Sequence, residues 1–484
     1  MSVIGVVLAT VVVAATSVHL PVSSTHAGAQ AAVDRGLFLY YAYDGDDAAR
    51  EFAQAAALDS RLAMAYWGIA LANGPDLNTP MSAKRFNDAR NAIARAVALE
   101  SGASLRERTY IDAIALRFRG AFADWRNDDA AYRQAMMQFA RAAHDENAQL
   151  LAAEALIESS GLAWKDGVPA SQDSRDALEL VTDVLKRDPA NPMANHLCIH
   201  LYDLAADRGP ALPCTQRLDA AAFPPAAEHL AHMPAHYWIE TGNYAAAISS
   251  SNRAYTLLMQ RDGSESSLQP AHYGKHDIAV GYSAAMMLGD YAVAQRWAHR
   301  MASVFDESFD ALTALRFGRY VAAYAASGDQ FAGESVHGLA AIHLGRLDDA
   351  RAIGARLRKG NTAQGYLPQL FLGRLAESDG KFDEAERWIE RARTNQHADF
   401  SGELIPLFPA EEALGELDLR RGENAPAVAA FRDALDAYPN DPRALFGLAT
   451  ALDAQGERAQ AAAARTRFAM EWKGADTNAD DALP

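Results

Sequence analysis

Past its first few dozen residues the chain has no long run of alternating β-branched positions, the pattern expected of strands. Bulky apolar residues and small ones recur instead in a helix–turn–helix rhythm. A Gly, then a polar residue, then an Ala two to five positions on marks each turn. The signal stands at Gly45-Asp46-Asp47-Ala48, Gly242-Asn243-Tyr244-Ala245, Gly289-Asp290-Tyr291-Ala292 and Gly345-Arg346-Leu347-Asp348-Asp349-Ala350. It returns at Gly380-Lys381-Phe382-Asp383-Glu384-Ala385, Gly422-Glu423-Asn424-Ala425 and Gly456-Glu457-Arg458-Ala459. Gly closes the first helix of a pair because it takes the left-handed C′ conformation at little cost. Ala in the second helix lets two backbones approach closely. Abundant Ala, the best intrinsic helix former, points the same way and predicts an all-α chain.

The interval from Gly422 to Gly456 is 34 residues, the period of the tetratricopeptide (TPR) helix pair. Pair ends agree. Phe431, Ala434 and Tyr438-Pro439-Asn440-Asp441-Pro442 precede Ala444-Leu445-Phe446-Gly447-Leu448. Phe52, Ala56 and Leu58-Asp59 precede Ala65-Tyr66-Trp67-Gly68 in the same way. In each case a small residue is expected to face a bulky aromatic across the pair. The other intervals are longer, so the array is irregular, with extra helices inserted. The expected fold is all-α, TPR-like helix pairs forming a right-handed α-solenoid. Its expected parts are an N-terminal array over 30–188, a His-rich helical segment over 189–300, a more regular TPR array over 301–473 and a frayed tail over 474–484.

A net charge of −17 argues against nucleic acid, which calls for a basic stripe. The acidity is spread over helix faces, as solvated faces are. Met1 to Leu20 is apolar and carries no Asp, Glu, Lys or Arg, and Ala27-Gly28-Ala29 follows as a small-x-small cleavage pattern. Residues 1–29 therefore read as a secretory leader, with an uncleaved membrane anchor as the alternative, and the protein as exported, periplasmic or secreted. Nothing later suggests a membrane span. Cys198 and Cys214 lie near the ends of two expected helices joined by a turn. In an oxidising compartment they form either a disulfide or two buried thiols.

Of the 14 histidines, seven fall between His196 and His276. His196 and His200 are one helical turn apart, the spacing by which two imidazoles chelate one metal. Asp203 lies near the same face, as a carboxylate ligand or a group that orients a histidine. His229, His232 and His236 form a second group around Pro234, and His272, Tyr273 and His276 a third, followed by Asp277. Lone histidines (His144, His299, His337, His343 and His397) read as ordinary capped or packed residues. A cluster is different, because buried imidazoles need partners and repel one another if protonated. A metal meets both demands, and a hydrogen-bonded histidine network is the alternative. The candidate ligands are His196, His200, His229, His232, His236 and His276, for a divalent transition metal such as Zn, Cu or Fe. The Cys198 side chain should point away from the His196/His200 face.

These residues resemble a family of bacterial TPR proteins with an N-H-x-x-I-H-x-x-E helix, a G-H-L-x-H-M-P-x-H segment and a later Y-x-x-H-N. The matching residues are Asn195, His196, Ile199, His200 and Asp203; then His229, Leu230, His232, Met233, Pro234 and His236; then Tyr273, His276 and Asp277. Asp203 stands where the family has Glu, Glu228 where it has Gly, Asp277 where it has Asn, and Asn191 where a further His is expected. The resemblance implies a site and names no reaction.

Two functions compete. In the first, the metal serves an enzyme, hydrolytic or oxidative, acting on a small molecule or peptide held in the concave groove. Asp203, Glu228 or Asp277 would supply acid–base chemistry, and Trp67, Asn78, Tyr110, Trp164, His272 and Tyr273 would line the pocket. In the second, the chain is an exported scaffold gripping a peptide or protein partner, the metal being structural or simply handled. No Ser-His-Asp signature, Walker loop, Rossmann fingerprint or C-x-x-C pair is present.

Overall fold

The computed structural model describes residues 18–77, 81–161, 163–263, 274–326, 332–359, 364–399 and 408–477. The chain divides into two compact units, Met1–Met233 and Pro234–Pro484, a boundary that falls inside the His-rich segment. Each unit is a stack of helices in which every helix packs chiefly on its neighbours in sequence, the connectivity of an α-solenoid. The described strands are one short hairpin, Trp164–Lys165 paired antiparallel with Val168–Pro169. Asp166 and Gly167 turn it with φ of 52° and 78°, as a type I′ turn requires.

The expected small-against-aromatic contact holds the pairs together. In the first unit the Phe52 ring lies on Gly68 so closely that a Cβ there would sit 2.1 Å from the ring. In the second unit Phe431 lies on Gly447 the same way, at 2.3 Å. Each of these aromatics is fully buried, so the glycine is a socket and any side chain would force the helices apart. Side-chain caps start many helices. Asp44 accepts from the Asp47 N–H, Ser104 forms a capping box with Glu107, and Asn191 caps the helix Pro192–Tyr202. The first pair turns two residues earlier than its glycine suggests. Gly45 opens the helix Gly45–Leu58, and Tyr43 occupies the left-handed position.

Among the described residues no helix is long and apolar enough to cross a membrane. Residues 1–17, most of the expected leader, lie outside the described residues. Residues 18–26 are folded onto the first unit. Leu20 is fully buried and its N–H donates to Asp34 at 2.9 Å. The Ser23 N–H donates to Glu107 at 2.6 Å, and Asn147 donates to the His19 carbonyl at 3.0 Å. The expected cleavage point after Ala29 therefore falls in the first turn of the helix Ala27–Tyr41. Cys198 and Cys214 form a disulfide, with Cα atoms 6.4 Å apart, joining Pro192–Tyr202 to Leu212–Ala220.

Two outcomes follow for thermal and chemical unfolding. A chain starting at Gln30 should melt several degrees below one starting at Val18, since burying Leu20 alone contributes roughly 2 kcal/mol; equal melting would show that the segment adds nothing. Replacing both cysteines by alanine should lower unfolding stability by about 2–3 kcal/mol, the effect of opening a loop of this size.

Candidate metal centre

The helix Pro192–Tyr202 is enclosed along nearly its whole length. Pro192 and the Asn191 cap define its start, and every side chain from Pro192 to Leu201 is buried. Asn191, at the position where a further histidine was expected, is this cap: it accepts from the Ala194 N–H at 3.0 Å and donates to Glu146 at 2.6 Å. Two imidazoles thus enter an apolar interior one turn apart, with ring centroids 5.0 Å apart. His229, on the short helix Glu228–His232, joins them with its ring 5.1 Å from that of His196. His196, His200 and His229 are each no more than 1% exposed. Each offers a nitrogen within 4.8 Å of the others, so one ion could be held by all three. Tetrahedral ligation at about 2.0–2.1 Å needs nitrogens roughly 3.3 Å apart, a spacing inside that limit.

Two rings are held through Nδ1. His200 Nδ1 lies 2.9 Å from Asp203 Oδ2, and His196 Nδ1 lies 3.3 Å from the Tyr41 carbonyl. Both acceptors call for a protonated Nδ1, which leaves Nε2 as the lone-pair nitrogen, the arrangement usual for metal-binding histidines. His196 Nε2 is buried and has no hydrogen-bond partner among the described residues. Burial, then the neighbouring His200, pushes the His196 pKa well below its ordinary value, while the Tyr41 carbonyl opposes this. The ring is neutral and ready to ligate.

Asp203 thus orients His200. Glu228 and Asp277 are buried carboxylates beside His229 and His276 in sequence. His232 stacks on His229, with centroids 5.7 Å apart, at the end of the first unit. In the second unit His236 and His276 face each other, with Nε2 atoms 3.2 Å apart. Trp67 and Tyr110, expected to line a pocket, pack instead inside the helix stack. The Trp67 ring is 5.3 Å from that of Tyr110, whose hydroxyl donates to Asp145 at 2.6 Å. Trp164 is half-buried on the hairpin and ties it to the His-bearing helix by donating to the Leu201 carbonyl at 2.7 Å. Asn78, His272 and Tyr273 lie outside the described residues.

Two residues beside the centre escaped the sequence reading. The buried Tyr43 ring lies 4.3 Å from the His196 ring and stacks on His229 at 5.6 Å. Its backbone is left-handed, φ 59°, which costs an L-residue about 1–2 kcal/mol. The signal that could have found it is the register of the first turn: with Asp44 as the cap, Tyr43 falls at the C′ position. The second residue is Glu154, on the helix Glu146–Ser160. It accepts from the Tyr40 hydroxyl at 2.6 Å. Burial raises its pKa to about 8, against the opposing effect of the Tyr40 hydrogen bond and with help from the charge of Asp76.

No protein-family model matches the chain, and no curated protein matches it. Among solved structures it overlaps the crystal structure of the APC/C hetero-tetramer Cut9-Hcn1 at a TM-score of 0.37 and 10% identity, over 82% of this chain and 78% of that one. It overlaps yeast Tom70 at a TM-score of 0.28 and 10% identity, over 92% of each chain. Overlaps this loose carry no argument about the site, and the helix-pair architecture rests on the aromatic–glycine contacts described above.

Glu154 gives a pH test. Its carboxyl holds a proton in the folded chain up to about pH 8, whereas the unfolded chain releases it near 4.5. Its contribution is therefore full below pH 4.5 and is lost as pH rises through that window. In denaturant titrations of chelator-treated protein, Glu154→Gln should gain on the parent steadily from pH 5 to pH 8. A difference independent of pH would contradict the protonated carboxyl.

Proposed function

We propose that this chain is a TPR-type interaction scaffold whose first unit is organised around a divalent transition metal, Zn, Cu or Fe, held by His196, His200 and His229. The observation that carries the reading is the set of three buried imidazoles with mutually close nitrogens, two of them held through Nδ1. Packing alone gives no reason to sink three such rings together in an apolar interior. A metal turns that cost into binding energy, and the loaded centre pins Glu228–His232 onto Pro192–Tyr202. The His236–His276 pair in the second unit offers two further nitrogens. The disulfide supports an oxidising compartment, hence export. The acidic, helix-paired surface suits a peptide or protein partner.

A second reading, an enzyme, is favoured by one specific feature: the donor set has three imidazoles. Three protein ligands leave a fourth position for water or substrate, as catalytic zinc sites do, whereas structural sites are closed by four. A metal there would supply Lewis acidity for hydrolysis or a redox centre for oxidation. Of this chain's own residues, Asp203 would hold His200 in place, with Glu228 as the first unit's buried carboxylate to carry a proton.

Elemental analysis of the purified chain should find close to one metal per first-unit site, lost in His196→Ala/His229→Ala while helical content is kept. Parent protein that neither contains nor takes up Zn, Cu or Fe would leave a hydrogen-bonded histidine network and overturn the proposal. Azide added to the cobalt-substituted protein separates the readings. A shifted visible spectrum indicates an exchangeable fourth position and favours the enzyme; an unchanged one favours the scaffold.

A further inference from the structure

We infer that Tyr43 is a positioning residue of the histidine centre, and that the turn Tyr41–Asp44 belongs to that centre as well as joining two helices. The inference rests on the metal reading above and deepens it.

The first observation is conformational. Gly242, Gly422 and Gly456 each sit one residue before a helix cap, with φ of 74°, 76° and 80°. Tyr43 stands at the equivalent place before the Asp44 cap, with φ 59°. Two other turns place His144 and Asn440 at the same position, with φ of 49° and 61°, and both are residue types that take the left-handed conformation more readily than most; a tyrosine there is the bulky exception. A turn alone gives no reason for that choice.

The second observation is what the side chain touches. The Tyr43 ring is 5% exposed, lies 4.3 Å from His196 and runs within 12° of parallel to His229 at 5.6 Å. It thus contacts two of the three candidate ligands, which come from separate elements. Two residues earlier the same turn presents the Tyr41 carbonyl to His196 Nδ1 at 3.3 Å. One short connection therefore sets the tautomer of one imidazole and the ring planes of two. Three residues before Tyr43, the Tyr40 hydroxyl donates to the buried Glu154 at 2.6 Å, which anchors the end of the helix that leads into the turn. The buried Tyr43 ring acts as a wall against which His196 and His229 keep a ligating orientation.

An ordinary core aromatic would show the same burial, so the test must read the metal. Zinc affinity by chelator competition and the visible spectrum of the cobalt-substituted chain are compared for the parent, Tyr43→Phe and Tyr43→Asn. Phe keeps the ring and should bind zinc within about threefold of the parent, with the parent's spectrum. Asn tolerates the left-handed turn but lacks the ring. It should bind at least tenfold more weakly, with a shifted spectrum and unchanged helical content. If the Asn variant loses helical content, Tyr43→Leu, which fills the volume without a flat face, should show the same weakening. Parent-like affinity and spectrum in whichever of the two is folded would overturn the role of Tyr43 and leave the metal reading intact. Failure of the parent itself to bind zinc or cobalt would overturn the metal reading, and the inference with it.

Discussion

A helix buried on every side has nowhere to put a polar side chain except against another polar group, and Pro192–Tyr202 carries two imidazoles into such a place. Much of the first unit's polar interior follows from that constraint. Asp203, one turn beyond the last histidine, reaches back to His200. The turn of the first helix pair gives a carbonyl to His196. His229 arrives from Glu228–His232, and Tyr43 covers both rings. Each of the three rings brings a nitrogen within 4.8 Å of the others, so their polarity is concentrated at one point where a single cation could be held.

Around this point the fold supplies rigidity in two ways. The aromatic–glycine sockets lock each helix to its neighbour with contacts that tolerate no added atom. The disulfide ties the His-bearing helix to the next one. Cys198 is two residues from both His196 and His200, so the disulfide braces the very turn that carries them. The buried acid Glu154 accepts from Tyr40, just before the turn, and burial raises its pKa to about 8, so it anchors the turn's start as a largely neutral group.

What could be read from the sequence divides by distance along the chain. The one-turn spacing of His196 and His200, and the nearby Asp203, are local, and helix periodicity alone brings them to one face. The helix pairs were legible because their glycines and aromatics recur within about one TPR period. The disulfide was one of two open readings, settled by packing that spacing cannot supply. Tyr41 and Glu154 were hidden because their partners lie 155 and 114 residues away. Tyr43 was hidden by a turn register set two residues off. Asp166-Gly167 turns a hairpin only two residues to a strand, too short for an alternating pattern to mark it among helices. At the N-terminus, Ala27-Gly28-Ala29 suits a cleavage site and a helix opening equally well in composition, and in the folded chain these residues open the helix Ala27–Tyr41.

The most direct test of the central claim is X-ray absorption at the zinc edge of the loaded full-length chain. The account predicts nitrogen or oxygen scatterers at about 2.0 Å, with the outer-shell signature of three imidazoles and no sulfur. A first shell containing sulfur, or a signature of one imidazole or none that His196→Ala leaves unchanged, would contradict it.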